Sequence, residues 1–528
     1  MEPVELLLGL LAAIAVVVAL APWTRVPHPI LLVVIGIGIG LVPGLPRVEL
    51  DPDLTLLVFL PPLLYWAALH IPVREVRANL RPISLLAVGL VLVTMGSVAV
   101  LAHAAFRLPW AVAFTLGAIV APPDPVAAVA IAERLGLPQR IVTILEGEGL
   151  LNDATALVAY KLAVAAAVSG TFSLAEAGGR LLLAGVGGTL LGVAAGWGGH
   201  HVLRRVREPP VENMVNLLIP FAAYLAAERI GASGVLSVLA CGLWMSQHSR
   251  DAITSAGRVQ RQQVWDMLVF ILEGLSFILI GLQLREVVAG LGGRSVTGLL
   301  ADALLLNLVV VAVRPFWVFP AAWLPRRLST RLRERDPWPG WRATAVLAWA
   351  GMRGVVSLAL ALAIPRQVAG GAPFPERELV VFLAFSVIVV TLVGQGLTLP
   401  ALIARLGVAE PSERRAREET DAMARVAEAA LVRLDQLEAE TSDVPPELVD
   451  RLRHRYRTRA EVLARHSDDD RADGVAAYRR LARELLRAQH EELRRLQREE
   501  GVSPSVVGKV RHDLDAEESR LDRLDGSS

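Results

Sequence analysis

Six ionisable residues lie deep in apolar stretches of this sequence: Asp124, Glu148, Asp153, Glu273, Arg314 and Arg353. Carboxylates in such surroundings hold protons or hard cations, which compete for the same oxygen donors. Three of the acids are near one another in the chain. Asp124 stands among prolines in "APPDPVA" (121–127), and Glu148 and Asp153 follow in "LEGEGLLNDATALVAYK" (145–161). Pro122, Pro123 and Pro125 carry no backbone N–H, so carbonyls about one turn earlier, near Gly117 to Ala121, lose their helical donors and can serve as cation ligands. A plain proline kink, with Asp124 bonded to a neighbouring helix, is the alternative. Glu148 and Asn152 are four residues apart and share a helix face, whereas Asp153 is turned by about 140° from Glu148 and lies about 7.5 Å farther along. The two acids therefore do different jobs. Asp153, beside an amide and one helix from Asp124, can hold a proton or a small cation, and Glu148 can pair with an arginine.

The elements that position these residues follow from composition. With 528 residues, 54% of them hydrophobic, and a mean hydropathy of +0.49, the chain is too long and too apolar for one soluble core. Stretches such as "ISLLAVGLVLVTMGSVAVLAHAA" reach the roughly 20 apolar residues a spanning helix needs, and the chain divides into roughly thirteen such spans between Leu6 and Ile403. At about 3 kcal/mol each, six ionisable groups facing lipid would cost about 18 kcal/mol, so they face the protein interior. Lys161, two turns beyond Asp153, is placed to snorkel. Irregular backbone at membrane depth is tolerated only where protein or a cavity surrounds it, and interrupted helices are where transporters place substrate. The sequence has no His-Glu-x-x-His helix and no deep histidine beside the acids, which argues against a membrane enzyme. A cation channel or another ion-coupled transporter is the rival class. Cys241 is the lone cysteine, which excludes an intramolecular disulfide.

Arginine sets the expected orientation. One set of alternate loops holds Arg25, Arg74, Arg77, Arg81, Arg134, Arg140, Arg250 and many others, while the opposite set, near Arg47, Arg107, Arg180 and Arg294, is less than half as rich. The positive-inside rule then puts the N-terminus outside and the C-terminus in the cytoplasm of a multi-pass plasma-membrane protein. The glycine-rich "GVGGTLLGVAAGWGGHH" offers small residues for close packing within the chain or for a dimer. His200 and His201 at its end read as solvent-exposed, with pH sensing as the alternative. After residue 407 the composition turns to Ala, Leu, Glu and Arg at helical spacing, so residues 1–407 form a transmembrane domain and 408–528 a helical tail domain, with turns at "TSDVPPELVD" and "HSDDDRADG".

Several ordered motifs carry a resemblance. "GEGLLNDATALVAY", "PPDPVAAVAIA", "FLPPLLYWAAL", "RPFWVF", "GMRGVVSLALALAIP" and "GQGLTLPALI" are similar to those of the bacterial monovalent cation/proton antiporters, the sodium/proton exchanger family. The resemblance implies an all-α membrane fold of two inverted six-helix repeats whose fifth and twelfth helices unwind and cross at the ion site, working as an elevator-like homodimer. It implies Asp153 as the ion- and proton-binding acid, Asn152 as its partner, and Asp124 as the acid of the crossing, so that Asp153 and Asp124 ligate the monovalent cation. It further implies Glu148 and Arg314 as a buried structural ion pair. Arg353 falls in the break of the twelfth helix, loosened by Gly351 and Gly354, where its charge balances the acids or closes on Glu273. Exchange of Na+, Li+ or K+ for H+ follows, one for one because Asn152 stands where electrogenic relatives carry an aspartate. No cofactor and no nucleic acid is expected, and the lipid bilayer is the surrounding partner. Pro123, Gly149 and Trp66 depart from the family pattern at places that often carry a threonine, a serine and an acid.

Overall fold

The computed structural model describes residues 3–24, 26–42, 51–170, 174–248, 253–291, 295–336, 338–410, 412–440 and 445–464, with scattered positions beyond. Arg25, Arg47, Arg250, Arg294 and the expected turn at 466–474 lie outside the described residues. So do the first four residues, 441–444, of the turn expected in "TSDVPPELVD".

The first part of the chain is a succession of helices. They are α1 (Pro3–Thr24), α2 (His28–Gly40), α3 (Pro52–His70), α4 (Leu80–Phe106), the broken pair α5a (Trp110–Val120) and α5b (Pro125–Arg134), and α6 (Gln139–Ser169). There follow α7 (174–203), α8 (Pro209–Arg229), α9 (Gly234–His248), α10 (Ser255–Leu282), α11 (Val296–Leu328), the broken pair α12a (Gly340–Trp349) and α12b (Val355–Leu362), and α13 (Arg377–Leu406). Among the described residues, eight runs are long and apolar enough to cross a bilayer. Three of the others fall short by length: α2 has 13 residues and α9 has 15, while α12 is cut into pieces of 10 and 8.

Local chemistry sets many of the ends. Asp51 caps α3 by accepting from Leu54 N (3.0 Å), with Pro52 at the first helical position, and Thr254 caps α10 through Gly257 N (3.1 Å). Gly407 closes α13 at φ 60°, a left-handed conformation that costs glycine little.

Two packing sets form the bundle. Helices α4, α5a, α6, α11, α12 and α13 pack largely on one another, and α2 with α10, α3 with α9 and α7 with α9 make the principal contacts of the other set. The glycine stripe of α7 belongs to the second set. Side chains added at Gly188 and Gly192 would run into Ser233 and Ser237 beside and within α9, so these glycines allow two backbones to approach inside one chain.

Contacts divide the chain into residues 1–409 and 410–528. In the second unit, α14 (Ser412–Glu440) packs against α15 (Pro446–Ala464), and Arg453 pairs with Asp435 (3.1 Å) and Glu438 (2.5 Å) across the hairpin.

Candidate functional site

The two broken helices complete each other. In a continuous helix the Asp124 N–H would donate to Val120 O; here it donates to Met352 O, in the break of α12, at 2.6 Å. The vacated Val120 carbonyl accepts from Arg353 Nε at 3.0 Å. Arg353 is buried, with a second donor nitrogen on Gly351 O and its own N–H on Thr391 Oγ1 of α13 (3.1 Å). Each break thus supplies what the other lacks, and buried backbone groups are satisfied across the crossing. Of the carbonyls expected to be released, Gly117 to Ala121, the arginine takes Val120 O, so that one is not available to a cation; Asn152 Nδ2 donates to Pro123 O, outside that set, at 2.7 Å. Among the described residues no ion pair joins Arg353 to Glu273.

Asp124 does two jobs at once. Its Oδ1 caps α5b by accepting from Val126 N (2.9 Å), and the rest of the carboxylate lies over Gly354. A Cβ at Gly354 would overlap Asp124 Oδ2, so the glycine there permits a close approach. Gly351 plays a similar part under the Arg314 side chain, where a Cβ would lie 2.6 Å from Cδ.

Asp153 and Asp124 line one cavity of about 400 Å³. Its walls come from both packing sets: His28, Trp66, His70, Glu273 and Ser276 from α2, α3 and α10, and Asp124, Glu133, Glu146, Asp153 and Ser357 from α5, α6 and α12. His28, His70 and Glu133 lie near the ends of their helices that join the arginine-rich loops, so the cavity runs from that end to the acids. Asn152, turned away from the cavity, is wholly buried and holds the Pro123 carbonyl. On the other side of α6, Glu148 receives two bonds from Arg314, at 2.6 and 2.7 Å, and Arg314 Nε donates to Leu347 O (3.0 Å). The angular separation of Glu148 from Asp153 along the helix thus divides an ion-paired carboxylate from one that faces the cavity.

The three unusual positions have local explanations or neighbours. A side chain at Gly149 would collide with the Pro125 ring, so serine has no room there. Trp66 stacks on Trp265 with ring centroids 5.5 Å apart, and Trp265 Nε1 donates to Asn216, which in turn donates to Tyr65. Lys161 is exposed, as snorkelling requires, and also pairs with Glu228 at 2.8 Å. His200 and His201 are half-buried rather than fully solvent-exposed, and His201 Nδ1 is bonded to Trp197 O (2.9 Å). Sequence inspection overlooked Thr391, Ser357 and Glu146. Glu146 could have been found, because it is seven residues before Asp153 and shares its helix face; Thr391 and Ser357 are ordinary residues in apolar helices and carried no signal.

Helices that span a membrane, two of them broken and crossing beside paired carboxylates, define an ion-coupled secondary transporter. Comparison with known proteins narrows this class. The model of the sodium/hydrogen exchanger transmembrane family matches residues 9–405. A Na+/H+ exchanger of Mycobacterium tuberculosis is 34% identical over 525 residues, covering 98% of this chain and 95% of the relative. A sodium, potassium, lithium and rubidium/H+ antiporter of Bacillus pumilus is 35% identical over 410 residues, covering 76% of this chain and 60% of that one. The solved structure of a sodium proton antiporter from Methanocaldococcus jannaschii shares the fold, with a TM-score of 0.61 at 17% identity over 77% of this chain and 99% of its own. The chain belongs to the sodium/hydrogen exchanger family. It is a multi-pass membrane transporter that exchanges cations for protons, and not an enzyme.

Proposed function

We propose that Asp153 is the acid that carries, in turn, a proton and a sodium ion across the plasma membrane by alternating access. The observation that carries this is the shared cavity: Asp153 and Asp124 line it together at the crossing of α5 and α12. Asp124 supports the site by capping α5b and shaping the crossing, and Asn152 positions the peptide beside it through Pro123 O. Asp153 and Asp124 supply carboxylate oxygens to the monovalent cation, with water and side-chain oxygens completing the shell. Glu148 and Arg314 are structural. Arg353 fixes the crossing and balances the field of the acids, while Glu273 adds negative charge to the cavity wall.

With an amide at 152, one carboxylate is loaded alternately with one proton or one monovalent cation, so the carrier bears the same charge in both directions and exchange is electroneutral. The cavity's position between the two packing sets suits an elevator movement of one set against the other, in a fold of thirteen helices as two inverted repeats. Li+ and K+ join Na+ as substrates to test, in keeping with the name of the Bacillus pumilus relative. Residues 1–407 form the antiporter domain and 408–528 a cytoplasmic helical tail, with the N-terminus outside. The working unit is a homodimer.

The test is cation-induced pH change in everted vesicles, comparing Na+, Li+ and K+. Wild type releases protons from the acid-loaded lumen, and Asp153→Asn abolishes the response while remaining folded. Wild-type exchange by that variant overturns the assignment. A strong dependence of turnover on imposed voltage overturns electroneutrality.

A further inference from the structure

Away from the acids, three arginines gather around a small cavity at the arginine-rich end of the bundle. Arg81 near the start of α4, Arg140 near the start of α6 and Arg326 near the end of α11 line it together with Pro339, Thr344 and apolar residues of the same helices such as Leu86, Ile144 and Val318. Asp336 pairs with Arg140 and with Arg326 (2.5 Å). Arg140 Nε also donates to Asn79 Oδ1 (3.0 Å), and Arg326 Nε to Asp336 O (2.8 Å). Arg81 is different: its Nη1 and Nη2 are buried and have no hydrogen-bond partner among the described residues. Among the described residues, the three guanidiniums share one ion-paired carboxylate, that of Asp336.

A buried guanidinium without an acceptor is costly, and an anion in the cavity would relieve it. The cavity measures about 50 Å³. That is room for more than one water-sized group, enough for the oxygens of a small anion to reach the guanidiniums. Guanidinium forks match phosphate oxygens in bidentate geometry. The surroundings suit a headgroup as well. Arg327 lies 4.7 Å over the Trp323 ring, and Trp338 and Trp341 are exposed nearby in sequence, as aromatic side chains are at the bilayer interface. Basic pockets between helices at the cytoplasmic face are suited to anionic headgroups.

We propose that Arg81, Arg140 and Arg326 form a binding site for a phosphate group, presented by an anionic lipid headgroup or as free phosphate. Occupancy links the ends of α4, α6 and α11, and α6 and α11 carry Asp153 and the Glu148–Arg314 pair. The site is independent of how the acids carry ions.

Thermal unfolding of the purified full chain in non-ionic detergent tests it, with inorganic phosphate and short-chain phosphatidylglycerol titrated separately. A saturable rise in Tm is expected. Stabilisation by both ligands shows that the phosphate group suffices, and stabilisation by phosphatidylglycerol alone identifies the lipid source. Arg81→Gln removes two charge-assisted donors and weakens the effective affinity at least about tenfold. Asp336→Asn removes the competing carboxylate and tightens it. Arg81→Lys, which keeps the charge and loses the fork, falls between wild type and Arg81→Gln, and keeps the test available should Arg81→Gln fail to fold. No saturable shift with either ligand, or one affinity shared by wild type, Arg81→Lys and Asp336→Asn, overturns the proposal.

Discussion

Replacing Gly354 with alanine tests the crossing at its tightest point. The added Cβ would overlap Asp124 Oδ2 and come within 2.8 Å of Asp124 Cβ. Asp124 has little freedom to retreat, because its N–H is held by Met352 O and its Oδ1 by Val126 N. Overpacking of this kind costs about 1–3 kcal/mol, and turning the carboxylate aside forfeits a helix cap of about 1 kcal/mol. Gly354 has φ −133° and ψ −154°, which alanine can adopt, so reduced unfolded-state entropy returns about 0.4–1 kcal/mol. The balance is roughly 1–4 kcal/mol. Since about 1.4 kcal/mol is a factor of ten in rate, sodium-driven proton flux in proteoliposomes should fall about fivefold or more if the strain falls on the transport cycle. If the strain falls on the fold instead, the Tm drops. Gly394→Ala, where an added Cβ meets nothing within 4 Å, is the matched control and should stay within about 0.5 kcal/mol of wild type. Wild-type flux together with wild-type Tm in Gly354→Ala would refute the close packing of Asp124 on α12.

Other outcomes follow from the same geometry. Glu148→Gln or Arg314→Gln leaves a buried charge unpaired and should lower stability by about 3–5 kcal/mol, measured by thermal unfolding; replacing both by methionine should recover much of the loss. Gly149→Ser presses on the Pro125 ring and should destabilise by about 1–3 kcal/mol, and a double-mutant cycle with Pro125→Ala should show strong coupling; additive effects would mean the two residues are not in contact. Gly192→Ala should loosen α7 from α9 by a similar amount, visible as a lower Tm.

Much of the site could be read from residue types, because a bilayer makes polar residues and prolines conspicuous. Asp124, Glu148, Asp153, Glu273, Arg314 and Arg353 stand out in apolar runs, and the proline cluster marks the α5 break directly. Helical geometry was enough to separate Glu148 from Asp153. What misled was one of the vacated carbonyls: losing a helical donor leaves a carbonyl open to any other donor, and a distant arginine takes Val120 O. The α12 break carries no proline, and its glycines serve close contact with Asp124 and Arg314 more visibly than looseness.

Sequence alone therefore determined that the chain is an all-helical membrane protein, where its acids lie and where one helix breaks, since hydropathy, proline and helical periodicity act locally. Only the tertiary structure decided the partners. Arg353 reaches Val120 across 233 residues of chain, and Asp124 reaches Met352 the same way. Such bonds depend on how whole helices pack, and nothing local in the sequence encodes the alignment of one break against the other.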